Sequence, residues 1–267
     1  MMLGARTAAW EKAGGPTHPV YGGLCFTAEA ANSSVQLTAV GSAPAVTLVK
    51  SFDGVNWEDY TVGEVINLQG IGDFVYLAAG EGGNNTFSSA SNKYHKFVIN
   101  GFVAASGDIT SLRSFDLEQT ALANSCYSSM FYGCTGLTSA PELPATTLAT
   151  ACYLSMFQGC TGLTSAPELP ATTLANSCYR SMFQGCTGLT SAPELPATTL
   201  ANSCYRSMFQ GCGNISIIKV HFTAWGTQTS AWVSNVPSTG TFYKPSALPD
   251  EFSTNRIPTG WTVVNID

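Results

Sequence analysis

Nine cysteines, three histidines and a periodic set of glutamates are the side chains here with most chemical potential, and their spacing decides how they can be used. Cys25 stands alone. The other eight recur at two fixed phases, Cys126, Cys152, Cys178 and Cys204 in one row and Cys134, Cys160, Cys186 and Cys212 in the other. Both rows advance by 26 residues. Unoxidised cysteine packs as a small apolar side chain, so stacked buried thiols are the favoured reading. Disulfides between neighbouring units come second, because units stacked about 5 Å apart fall within bridging range. A metal site comes last. Structural zinc wants closely spaced cysteine pairs or histidine partners, and His18, His95 and His221 lie outside the repeated units. A Cys–His nucleophile is disfavoured too, since a reactive thiolate needs exposure and an electropositive setting. The expectation is no catalytic residue, no metal and no cofactor.

The glutamates Glu142, Glu168 and Glu194 repeat at one phase, each shortly after a Thr-Ser pair: Thr138-Ser139, Thr164-Ser165 and Thr190-Ser191. Hydroxyls and carboxylates suit hydrogen bonding to a sugar or a protein, so these nine residues are the candidate ligand-binding array. A merely solvated polar face is the competing explanation. The helix-side positions vary among copies, Ser128, Leu154, Arg180 and Arg206 at one phase and Tyr132, Gln158, Gln184 and Gln210 at another. They are either loosely specified by packing or a tuned contact face. Phosphate-cradling glycine loops, nucleophile elbows and dinucleotide fingerprints are missing. The segment Ser51-Phe-Asp-Gly-Val-Asn-Trp57 looks like the Asp-box hairpin of sialidase propellers, but its glycine and tryptophan fall early and it occurs once. An Asp-Gly turn between two strands explains it better.

The elements that must position these residues come from the repeat itself. Thr135 to Ala149 recurs unchanged at Thr161 to Ala175 and Thr187 to Ala201, and Asn176 to Cys186 recurs at Asn202 to Cys212. Each unit reads as an extended run (Leu163–Leu169), a break at Pro170 and a short helix over Leu174–Phe183. Thr173 is a plausible N-cap and Gly185 a left-handed C-terminal stop. Ile215–Phe222, in the same register, reads as a β-branched strand. One strand and one helix cannot bury a core alone, whereas stacked copies closed by atypical ends can. Ser111–Leu122 is the expected front cap, and Gly213–Asp267, with Trp225, Trp232 and Trp261, the rear one.

The unit Phe157-Gln-Gly-Cys160-Thr-Gly-Leu163-Thr-Ser-Ala-Pro-Glu-Leu-Pro170 and its copies resemble the BspA-like leucine-rich repeats of surface proteins from gut bacteria and their phages. The resemblance covers roughly Leu112–Phe222, and Trp232-Val, Ser238–Phe242 and Ile257–Val263 look like the closing segment of such proteins. It implies a right-handed solenoid and roles in adhesion or recognition without a catalytic site.

Ahead of the repeats, Leu24–Thr27, Ser34–Val40, Ala45–Val49, Val65–Leu68, Phe74–Leu77 and Lys96–Ile99 are extended runs between Gly, Asn and Asp turns, as in a β-sandwich or small barrel. Met1–Gly15 could begin with a short helix through Ala5–Ala13. The expected architecture is therefore mixed β and α/β-solenoid. It comprises an N-terminal segment (1–20), a β-sandwich-like domain (21–108), a leucine-rich-repeat solenoid (109–222) and a C-terminal cap (223–267).

Charged residues make up only 10% of the chain, against about 25% in an average protein. A net charge of −6 with 11 scattered Lys and Arg argues against nucleic acid, whose phosphates demand clustered cations. No apolar run is long enough for a membrane span, and no signal peptide is visible. The expected function is non-enzymatic recognition or adhesion at a virion surface or bacterial cell surface, as a phage tail or head fibre component that binds a host-surface glycan or protein. Other virion or surface proteins are further expected partners. A bacterial adhesin, and a structural decoration module with no external ligand, are the alternatives.

Overall fold

A computed structural model describes residues 22–90, 92–115 and 121–267; the expected helix through Ala5–Ala13 falls outside them. Among the described residues there are thirteen strands, two short 3-10 turns and no α-helix. In chain order the strands are β1 (Cys25–Ala28), β2 (Ser33–Val40), β3 (Leu48–Ser51), β4 (Glu58–Tyr60), β5 (Val65–Leu68), β6 (Phe74–Ala79), β7 (Ser88–Ala90), β8 (Lys93–Asn100), β9 (Val103–Ser106), β10 (Leu137–Ser139), β11 (Ile217–Lys219), β12 (Thr241–Lys244) and β13 (Thr262–Asn265).

The N-terminal part is β-rich, as its alternating runs require. Two sheets form, β10-β9-β1-β6-β3-β4 and β5-β2-β8-β7. Phe26 of β1 meets Phe97 of β8 edge to face, with ring centroids 4.8 Å apart, so the two sheets share one apolar interior with Val35, Leu37, Val75 and Leu77. Ser51–Trp57 joins β3 to its antiparallel partner β4. Asp53 Oδ1 accepts from the amides of Val55 and Asn56 at 2.8 and 2.7 Å, and Oδ2 accepts from Asn56 Nδ2 at 2.6 Å. These bonds, the Asn56 amide foremost, pull the Asp53 carboxyl down to about 2.

The repeats do not have the expected strand-and-helix form, and the α/β-solenoid assignment is overturned. Residues 176–185 form a run of tight turns in which successive amides alternate between two kinds of acceptor. The amides of Cys178, Arg180, Met182 and Gln184 reach back three residues, to the carbonyls of Ala175, Ser177, Tyr179 and Ser181 at 3.2–3.3 Å. The amides between them, of Ser177, Tyr179, Ser181, Phe183 and Gly185, cross to the next copy, to Asn202, Cys204, Arg206, Met208 and Gln210 at 2.8–3.2 Å. An α-helix would instead spend every one of these donors on its own fourth-preceding carbonyl. Every fourth residue is left-handed, with φ of 55° at Ser177, 54° at Ser181 and 74° at Gly185. This explains why a helical reading is tempting. A spacing of four is close to the helical 3.6, but three successive steps of four drift off one helical face. Here they stay in line because the coil itself repeats every four residues.

The expected run Leu163–Leu169 is not a strand either. Between β10 and β11 the β pairing of the described units is confined to isolated parallel bridges, Thr147 with Thr173, Ser191 with Ile217 and Leu195 with Val220. Proline has no amide to offer a ladder, and each unit carries two prolines in this stretch, such as Pro167 and Pro170. In the proline-free run Ile215–Phe222 β11 forms and pairs in parallel with β12, which pairs with β13.

Stacking produces ladders of identical side chains. Tyr127, Tyr153, Tyr179 and Tyr205 stack with centroids 5.9, 5.9 and 6.2 Å apart. Phe131, Phe157, Phe183 and Phe209 stack at 5.3, 5.7 and 5.9 Å. Both ladders continue into the β-rich part, where Phe87 covers Tyr127 and Phe97 covers Phe131. The backbone follows the same route: the amides of Phe87, Phe97 and Val103 donate to Cys126, Met130 and Gly136. The hydrophobic core thus runs without a gap across residue 108. At the far end the wholly buried Trp232 lies against both Tyr205 and Phe209. Trp232 belongs to a further turn coil whose left-handed residues are Ala231 and Asn235, with φ of 54° and 59°. That coil accepts the amides of Tyr205, Ser207, Phe209 and Gly211.

Close stacking is visible at Gly162 and Gly188, where an added Cβ would lie 2.5 and 2.6 Å from the carbonyl oxygens of Thr135 and Thr161 in the preceding copy. The serine positions carry the opposite kind of constraint. A left-handed L-residue costs about 1–2 kcal/mol, and a β-branched one is worse still. Ser181→Val should therefore lower the unfolding free energy by about 1–2 kcal/mol while Ser181→Gly leaves it unchanged or raises it. Guanidinium denaturation of the two variants checks this, and equal losses would show that the turn conformation is not what limits the site.

Candidate recognition surface

The nine candidate residues lie along the proline-containing stretch, but in three different situations. Glu142, Glu168, Glu194, Thr164 and Thr190 are exposed. Ser139 is half-buried and its hydroxyl donates to Ala105 O at 2.8 Å, fastening β10 to β9. Thr138 has a buried hydroxyl without a protein partner, and its carbonyl accepts from Thr164 Oγ1 at 3.4 Å. Ser191 bridges in parallel to Ile217. Ser165 is exposed. The structure thus leaves six of the nine exposed, the three glutamates with Thr164, Ser165 and Thr190, and commits Ser139 to the frame.

Between neighbouring copies this surface is grooved. One groove of about 410 Å³ is lined by Pro141, Glu142, Leu143, Pro144, Pro167 and Glu168. The next, of about 370 Å³, is lined by Pro167, Glu168, Leu169, Pro170, Pro193 and Glu194. Each groove presents rigid pyrrolidine rings beside two carboxylates, and Glu168 belongs to both. The prolines escaped notice as site residues because they read first as punctuation. Their sequence signal was the shared phase with the glutamates.

The carboxylates differ along the row. Glu194 Oε1 receives Lys219 Nζ at 2.9 Å and His221 Nε2 at 2.6 Å. The Lys219 hydrogen bond, then that of His221, lowers the Glu194 pKa. A lowered carboxylate favours the folded state above its ordinary range, and that contribution fades as pH falls through the lowered value. Among the described residues Glu142 and Glu168 have no ion-pair partner. The row therefore grades from open carboxylates near the β-rich part to a neutralised one near the tail.

All nine cysteines are free and buried. The second thiol row donates systematically: Cys134, Cys160, Cys186 and Cys212 give their S–H to the carbonyls of Phe97, Phe131, Phe157 and Phe183 at 3.0–3.1 Å. Burial pushes Cys126 up to about 11 and Cys134, Cys152, Cys204 and Cys212 up to about 12. Cys160, Cys178 and Cys186 rise as well, again chiefly through burial. These are poor nucleophiles, since the thiolate is the reacting form. His95 is also buried, at hydrogen-bond distance (3.3 Å) from Phe87 O, and desolvation lowers its pKa. Among the described residues no group of three or more His, Cys, Asp or Glu side chains could hold a metal ion, and no helix is long and apolar enough to cross a membrane.

Comparison with family models, curated proteins and solved structures finds no match to this chain.

The thiols make a pH prediction. A folded pKa raised above the unfolded value contributes stability that is complete below the unfolded pKa and lost as pH rises past it. Stability should hold at neutral pH and fall above about pH 9, where thiols of the unfolded chain ionise and those of the folded chain do not. Denaturation curves from pH 7 to pH 10.5 check the slope, and a Cys160→Ala variant should show a shallower decline. Iodoacetamide should label the repeat thiols only after unfolding.

Proposed function

We propose that this chain is a non-enzymatic recognition protein that binds a surface glycan or protein of a host cell through the grooved Pro-Glu face of its repeats. The observation that carries the reading is the recurrence of one groove, with the same proline rings and carboxylates, between successive copies. Rigid rings offer apolar contact at little entropic cost, and carboxylates accept hydrogen bonds from hydroxyl or amide groups. Identical sites in series suit a ligand that itself repeats, because each further engagement is intramolecular and can raise avidity 10²–10⁴-fold or so. The resemblance of the units to BspA-like leucine-rich repeats points the same way. With it goes a setting outside the cell, as a tail or head fibre component of a phage virion, or else on a bacterial surface.

A structural decoration module is the second reading, favoured by Ser139 and Glu194, whose polar atoms are used within the molecule. Binding of glycan arrays and of intact bacterial cells separates the two. Changing Thr164, Glu168 and Thr190 together to Ala leaves the stacked core untouched and is expected to weaken binding at least tenfold. Equal binding by the variant would remove this face from consideration, and no binding by either protein would favour the structural module. Mass spectrometry of purified virions should find the polypeptide if the phage setting is right.

A further inference from the structure

The strand topology gathers four loops at one end of the β-rich part: residues 29–32, 52–57, 69–73 and 101–102. β1 runs into this end at Ala28, and the amide of Ala28 donates to Asp73 O while that of Gly72 donates to Ala28 O. The next amide, of Glu29, donates to Phe102 O. Ser51, at the mouth of the 52–57 loop, is paired with Tyr76 two residues beyond Phe74. These bonds bring to this end five exposed apolar side chains of the described residues: Phe52 (49% exposed), Val55 (40%), Ile71 (75%), Phe74 (36%) and Phe102 (56%). Scattered apolar side chains on a surface are ordinary, whereas a gathered patch marks a contact site.

The loops are held, not loose. Asp53 clamps the first by accepting the Val55 and Asn56 amides. Asp73 Oδ2 closes the third by accepting the Gly70 amide at 2.8 Å. Ser33 Oγ lies against the carbonyls of Ala30 and Phe102, at 2.7 and 3.3 Å. Such pre-ordering reduces the entropy lost on association.

Charge selects the partner. The four loops contain Glu29, Asp53 and Asp73, with Glu58 adjacent, and no Lys, Arg or His. Among the described residues Lys50, in β3 just before the 52–57 loop, is buried in the sheet and shared between Glu58 and Glu64. Within the patch, Phe52, Asp53, Asn56, Trp57 and Glu58 surround a depression of about 270 Å³. An exposed aromatic ring beside carboxylates is a seat for a cation. We propose that this loop end is a second docking surface, separate from the repeat grooves, for a protein whose apolar contact area is rimmed by Lys or Arg, one of which enters the Phe52–Glu58 depression. An anionic membrane is disfavoured by the same carboxylates.

The test uses the full chain, labelled with nitrogen-15, titrated with the peptide acetyl-Leu-Arg-Trp-Arg-Leu-amide and with its counterpart in which both arginines are glutamates. The arginine peptide is expected to shift amides of residues 52–58, 69–74 and 101–102, and to bind at least tenfold more tightly than the glutamate peptide. Phe52→Ser, Ile71→Ser and Phe102→Ser combined should abolish the shifts, and Glu29→Lys should weaken them several-fold, with the repeat amides of both variants unmoved. Equal affinity for the two peptides, shifts confined to the repeats, no shifts at all, or stronger binding to phosphatidylglycerol vesicles than to the arginine peptide would each overturn the proposal.

Discussion

Every second amide of the turn coils belongs to the neighbouring copy. That division of hydrogen bonds is the constraint from which the rest of the structure follows. A buried backbone donor must be satisfied, and a coil that satisfied all its donors internally would be a helix, indifferent to its neighbours. Here a single unit would leave the amides of Ser177, Tyr179, Ser181, Phe183 and Gly185 without acceptors. The copies therefore stabilise one another or not at all. The Tyr and Phe ladders add apolar burial along the same axis, and the thiols of Cys160, Cys186 and Cys212 bind carbonyls of the preceding copy. The left-handed serines are the local cost of turning every four residues.

Such a stack needs ends, and the molecule makes them in two ways. At the front, a β-rich body supplies Phe87 and Phe97 as the first rungs of the ladders and lends β9 as the partner of β10. At the rear, one more coil has lost the repeat's residues but kept its geometry, with Ala231 and Asn235 in the left-handed positions and Trp232 spanning both ladders. Lys244, almost wholly buried beyond it, is held by Leu248 O and Asp250.

Several of these features could be read from the residues. The 26-residue period, the two cysteine phases and the six extended runs of the N-terminal part are plain in the sequence, and the runs coincide with or overlap strands. The free state of the thiols agrees with the favoured of three options. The secondary structure inside the repeat was not legible. Leu174, Cys178 and Met182 fit a helix and a four-residue coil equally well over so short a stretch, and the choice between them lies in inter-copy bonds that no local pattern encodes. The absence of a strand at Leu163–Leu169 was legible in principle, because Pro167 removes a donor within the run and Pro170 follows directly. Of the nine candidate site residues, six are exposed, and the three glutamates among them line the grooves. The pairing of Glu194 with Lys219 and His221 depends on the next unit in register, where a β-branched strand replaces the proline-containing run.

The equivalence of the copies also bears on how the molecule can vary in length. Because Cys160 and Cys186 are followed by the same residues, and because each coil meets its neighbours through the same amides and rings, excising 161–186 joins two surfaces that already fit. A deletion of any other size would set left-handed serines against the wrong carbonyls and put charged or hydroxyl groups into the aromatic ladders. The molecule can thus lengthen or shorten in whole steps of one unit. Each step adds or removes one groove and leaves both ends of the stack as they were.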